Sequence, residues 1–166
     1  MKKGRSARSG EESIGERHSA PRVEGVDYGV LDELVGYAVR RAQIRIFEDF
    51  AASLSHFGIT PARFSTLQLI AANPGLKQTQ LGDILGIARS GVMVLIDSLV
   101  EQGLVRREPQ PDDRRAYGVF LTPAGQTAFE QIRREVLAHD RRISARLSEQ
   151  ERARLLHLLE KLASST

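Results

Sequence analysis

Between Leu76 and Thr122 two helix-length runs, each ended by a glycine, are followed by two short extended runs around a basic tip. Gln78-Thr79-Gln80-Leu81-Gly82-Asp83-Ile84-Leu85 reads as a short helix that stops at Gly86. From about Arg89 to Gln102, Val92, Leu95, Ile96 and Leu99 recur every three or four residues, the period of one buried helix face, and Gly103 ends the run. Two extended runs follow, Leu104 to Glu108 and Ala116 to Thr122, around a tip reading Pro109-Gln110-Pro111-Asp112-Asp113-Arg114-Arg115. The prolines and aspartates of the tip favour a turn.

Helix, turn, helix and then a basic hairpin is the order of a winged helix-turn-helix, a module that reads duplex DNA. Composition is compatible with this and excludes several other classes. A length of 166 residues fits one domain, or one domain with a dimerisation appendage. No run approaches the roughly 18 apolar residues of a membrane span. Met1-Lys2-Lys3 leads into polar sequence, without the apolar centre of a secretory signal, so the expected location is the cytoplasm. The absence of cysteine removes disulfides, thiolate catalysis and a thiol redox switch together. A net charge of +3 does not by itself mark a nucleic-acid binder, so the placement of the arginines matters more than their number.

Residues 1–27 are rich in Gly, Ser, Arg and Glu and have too few large apolar side chains to offset the entropy of ordering. They are expected to form a disordered polar tail, from which Lys2, Lys3, Arg5 and Arg8 would at most brush phosphates. A helical pattern runs from Val30 to about His56. Leu31, Val35, Ala38, Ala42, Ile46, Phe50 and Leu54 form one face, and Val30, Leu34, Tyr37, Ile44, Phe47 and Ala51 a second. A helix apolar on two sides packs on two sides, one of them against a partner subunit. Thr60-Pro61 opens the next helix, with Thr60 as N-cap and Pro61 at its first position; Asn73-Pro74-Gly75 closes it. Thr122-Pro123 repeats that start for a helix to about Arg146, and Ser148 with Glu151 forms a capping box before a leucine-rich last helix. The expected order is four helices, two strands and two helices, mainly α with a small β wing. Residues of about 60–122 would form the winged helix-turn-helix, within a domain of 28–166. Helices of about 30–56 and 123–163 would form the dimerisation region.

These residues resemble the MarR family of transcriptional regulators. The resemblance is carried by Thr60-Pro61 with Leu67, by Leu81 to Ile87, and by Leu99-Val100-Glu101-Gln102-Gly103-Leu104-Val105-Arg106-Arg107. Its most specific part is Pro111-Asp112-Asp113-Arg114-Arg115 followed by Leu121-Thr122-Pro123-Ala124-Gly125. It covers about Leu31 to Leu162. It implies a homodimer on a pseudo-palindromic double-stranded operator, controlled by a small molecule and commonly acting as a repressor.

The second helix of the motif would enter the major groove N-terminus first, bringing Arg89 and Ser90 to phosphates or base edges. Gly91 would permit close approach of the backbone. Met93 and Val94 stand where the family often has polar or basic residues, so apolar contact with thymine methyls would replace hydrogen bonds unless either side chain packs internally. The resemblance implies an arginine of the wing, Arg114 or Arg115, in the minor groove, and an orienting role for Asp113 paired with Arg106 or Arg107. Lys77 and Ala88 precede helices without a capping oxygen, which costs typically about 1 kcal/mol each.

The family's effector pockets point to Tyr37, Arg40, Arg41, Ile44 and Arg45 on the first helix, with Phe64 and Leu67. Aromatic surface beside arginines suits an aromatic acid or its CoA thioester. Solvated or dimer-bridging arginines beside a core tyrosine are the alternative. His18, His56, His139 and His157 show no metal-ligand spacing, and no cofactor motif, nucleophile elbow or phosphate-binding glycine loop is present, so neither catalysis nor a metal is expected. A constitutive or architectural DNA-binding protein without effector would share every DNA feature. A winged helix used for protein contacts would show no salt-dependent binding to duplex DNA, whereas a DNA-reading one would show a steep slope of roughly −0.9 per phosphate contact.

Overall fold

The computed structural model describes residues 22–110 and 113–164, with backbone only at 110 and 113–116. The elements are α1 (Val35–Leu54), α2 (Pro61–Ala72), β1 (Leu76–Lys77), α3 (Gln78–Leu85), α4 (Arg89–Glu101), β2 (Val105–Gln110), β3 (Asp113–Leu121), α5 (Pro123–Ile143) and α6 (Glu149–Ala163). Short 3-10 turns flank α1 at Gly29–Glu33 and Ser55–Phe57. The chain divides into two compact units, residues 1–48 and 49–166, and α1 runs through the boundary.

In the first unit, the described chain makes defined contacts from Arg22 onward. The Val23 N–H donates to the Tyr28 hydroxyl at 3.0 Å, and the Arg22 guanidinium lies 5.6 Å from the Tyr28 ring centre and pairs with Asp32. Lys2, Lys3, Arg5 and Arg8 lie outside the described residues. The 3-10 turn followed by extended backbone at Leu34 breaks the helix that periodicity alone starts at Val30. Val30, Leu31, Leu34, Val35, Val39, Ile44 and Phe47 are all exposed.

The second unit holds the core. Phe50, Leu54, Ile59, Leu67, Ile70, Leu81, Val92, Ile96, Leu99, Val105, Val119, Phe129 and Ile132 form one buried cluster drawn from the end of α1 through α5. Local chemistry puts the helices in place. Thr60 Oγ1 accepts from the Arg63 N–H, and Thr122 Oγ1 from the Gly125 N–H at 2.9 Å, so both Thr-Pro starts are capped. Ser148 and Glu151 exchange the two bonds of the capping box. Gly86 ends α3 with a φ of 63°, a left-handed conformation that glycine adopts without strain.

The sheet has three antiparallel strands in the order β1-β3-β2. β1 is two residues long and pairs Leu76 with Val119 and Lys77 with Gly118. Sequence patterning missed it because two residues show no alternation. The hairpin strands reach further into the tip than expected, with a register shift between Pro109 and Gln110.

Against α5, the end of α1 is held by polar contacts. His139 is buried, and its Nδ1 lies 2.7 Å from Asp49 Oδ1, which also accepts from Arg142 Nη2 at 3.0 Å. The Phe50 ring meets the imidazole edge-on at 5.3 Å. By contrast α6 has no buried residue, and Leu155, Leu156, Leu158, Leu159 and Leu162 are all exposed.

Candidate nucleic-acid interface

The inner face of α4 is Val92, Ile96 and Leu99, each no more than 1% exposed, which fixes the helix's rotation. What remains outside follows from the 3.6-residue period: Arg89 and Ser90 are exposed, Met93 is 50% exposed and Val94 70%. Neither apolar residue packs internally. Gly91 is half-buried, and a Cβ there would stand 2.8 Å from Ile87 Cγ2, so this glycine serves an internal contact.

Two further contacts hold α4. Arg63 of α2 donates to the Gly58 carbonyl at 2.8 Å and to the Ser98 hydroxyl. Arg107 of β2 donates through Nη2 to Asp97 Oδ1 at 2.6 Å. The expected weak caps are only partly mended. The Lys77 N–H donates to Gln80 Oε1 at 3.1 Å, but an ammonium group has no lone pair for the returning bond. Ala88 gives α4 no side-chain cap.

Beside the start of α4 is a cleft of about 190 Å³, lined among others by Lys77, Thr79, Arg89, Met93 and Tyr117. It joins the first turn of α3, the start of α4 and the wing strand β3 at Tyr117, which pairs with Pro109. Sequence reasoning selected Arg89 and Met93 but passed over Lys77, Thr79 and Tyr117. Their presence here follows from the β1–β3 pairing, which brings Lys77 opposite Gly118 beside Tyr117. No local pattern announces that pairing.

Arg106 donates to Glu108 Oε1 at 2.7 Å and to the Leu121 carbonyl at 2.6 Å, and lies 5.3 Å from the Phe120 ring centre. It is therefore engaged along the hairpin itself. The side chains of Asp113, Arg114 and Arg115, proposed for the wing tip, lie outside the described residues; their backbone belongs to β3.

Of the residues assigned to an effector, five lie in the first unit and two in the second. Arg41 lies 5.8 Å from the ring centre of Tyr37, while Arg40, Ile44 and Arg45 are exposed. In the second unit the half-buried Phe64 ring is near-parallel to Phe129 at 6.3 Å, and Leu67 is buried in the core. No described helix is long and apolar enough to cross a membrane.

The family model described as MarR family matches residues 57–116, the segment from the α2 start to the wing. A transcriptional regulatory protein for the hcr operon of Thauera aromatica, described as putative, is 38% identical over 136 residues, 81% of this chain and 82% of that protein. The transcriptional repressor CouR bound to a 23-mer DNA duplex superposes with a TM-score of 0.80 at 38% identity, covering 84% of this chain and 99% of CouR. CouR bound to p-coumaroyl-CoA gives 0.77 at 35% identity over 85% of this chain and 99% of CouR. With its helix-turn-helix, three-stranded wing and exposed α4 face, the chain belongs to the MarR family of transcriptional regulators.

Proposed function

We propose that this protein is a homodimeric repressor that binds a pseudo-palindromic operator and is released by a small aromatic acid or its CoA thioester. The observation that carries the reading is the outer face of α4, where Arg89 and Ser90 stand beside Met93 and Val94, all exposed next to the wing. Arg89 and Ser90 would meet phosphates or base edges, and Met93 and Val94 thymine methyls, while Gly91 would let α4 pack against Ile87. Arg114 and Arg115 would enter the minor groove, with Asp113 and Arg106 shaping the hairpin. Such a protein works by binding and not by catalysis, in the cytoplasm where its operator is.

The exposed leucines of α6 and the exposed apolar residues before and along α1 are the surfaces a second copy would cover. For the effector, Tyr37, Arg40, Arg41, Ile44 and Arg45 of the first unit would offer aromatic and cationic groups, and Phe64 of the second unit an aromatic ring, while Leu67 lies buried in the core. CouR, a repressor solved with an aromatic acyl-CoA, supports that ligand class. The ligand must favour the DNA-incompetent state, and a differential of about 1–3 kcal/mol is enough for regulation.

A mobility shift on the upstream intergenic DNA, repeated with aromatic acids and their CoA thioesters, tests this. Specific binding abolished by one compound is the expected outcome. Binding indifferent to the whole panel would favour the effector-free regulator, and no binding at low salt would remove the DNA-binding reading.

A further inference from the structure

One side chain of the wing reaches both helices of the motif. Arg107 on β2 donates to Asp97 Oδ1 in the middle of α4 at 2.6 Å. Its guanidinium carries only donors, so the neighbouring Gln78 amide presents oxygen, which accepts from Nε at 3.1 Å and Nη2 at 3.0 Å. Gln78 is the first residue of α3. The planar fork thus spans α3, α4 and β2 at once, which a lysine ammonium would not reproduce. On the strand, Arg107 stands opposite Val119 of β3, so displacing it displaces the paired hairpin.

The side chains of Arg107 and Asp97 are 27% and 50% exposed, and an ion pair so hydrated contributes little to folding. What it does define is direction. A helix and a wing that enter adjacent grooves must both be placed to within about 0.5 Å to act together. We propose that Arg107 is a positioning residue that sets the wing's angle to the recognition helix without touching DNA, with Asp97 and Gln78 as its stops. The proposal rests on the DNA-binding reading above.

A phosphate-binding Arg107 would give the opposite sign at Asp97. Deleting the carboxylate would then release the cation and remove a repulsive charge, and binding would tighten. As a stop for Arg107, Asp97 is needed for affinity although it is acidic. The experiment measures operator affinity of the full chain as wild type, Asp97→Ala, Arg115→Ala and the double variant, with thermal melts of each. Asp97→Ala is expected to weaken binding roughly tenfold, and Arg115→Ala roughly tenfold or more. In the Asp97→Ala background the Arg115 change should cost less than about threefold, because a misplaced wing no longer delivers Arg115. Asp97→Asn, which retains the shape of the side chain, should show the same loss of coupling at an unchanged melting temperature. Tighter binding by Asp97→Ala, or the full Arg115 cost in both backgrounds, overturns the positioning role. An Arg115→Ala protein that binds like wild type overturns the wing contact and this proposal with it. A wild type that binds no duplex overturns the underlying reading instead.

Discussion

His139 Nδ1 lies 2.7 Å from Asp49 Oδ1, joining the last turns of α1 to α5 through a buried imidazole. The hydrogen bond from His139, more than that from Arg142, holds the Asp49 carboxyl below its ordinary 3.8 despite an opposing effect of burial. The folded value lies under the unfolded one, so the stabilisation is complete above about pH 3.8 and is lost as pH falls through the folded value. Asp49→Asn should therefore melt below wild type at neutral pH, with the gap narrowing below pH 3.8. Thermal unfolding across acidic pH checks this; a gap that persists at the acid end would mean the carboxylate contributes nothing as a charge.

Gly125 is needed for space. A Cβ there would stand 1.8 Å from the Leu104 carbonyl oxygen, which also accepts from the Thr122 N–H at 3.0 Å. The obstacle is backbone, so it cannot rotate away. Gly125→Ala should destabilise the fold by about 1–3 kcal/mol, read from urea unfolding. Wild-type stability would show that the α5 start does not lie against Leu104.

Val94 is the most exposed apolar residue of α4, at 70%. If it reads a thymine methyl, Val94→Ser should lose about 1–3 kcal/mol at one operator base pair and leave non-specific binding unchanged. A scan of single-base operator substitutions with both proteins decides it. Identical preference profiles would exclude a base contact.

Leu155 and Leu159 lie one turn apart on α6 and are both exposed. Placing glutamate at both should convert a dimer to a monomer and abolish concentration dependence of the melting temperature. Sedimentation of the double variant at wild-type mass would place the dimer contact elsewhere.

For the effector, Arg40→Ala should leave operator affinity intact and raise the ligand concentration needed for release about tenfold or more, the loss expected for one charge-assisted bond. Release curves that superimpose with wild type would remove Arg40 from the pocket.

The helix-turn-helix was legible because its signals are local. Gly86 and Gly103 stop helices where a left-handed residue is required, Thr60-Pro61 and Thr122-Pro123 start them, and Val92, Ile96 and Leu99 fix which side of α4 faces the core. Capping, backbone conformation and helical period each depend on a few consecutive residues, so the chain itself determines them. Tertiary structure decided what depends on contacts between distant segments. It decided that β1 pairs with β3 and brings Lys77 near Tyr117, that Gly91 yields to Ile87, and that Arg107 spans Asp97 and Gln78. It also made His139 a buried partner of Asp49, ninety residues away, where spacing alone showed only a scattered histidine. The reason is physical: such contacts exist only after the core has closed and set the angles between helices, which no short window of sequence encodes.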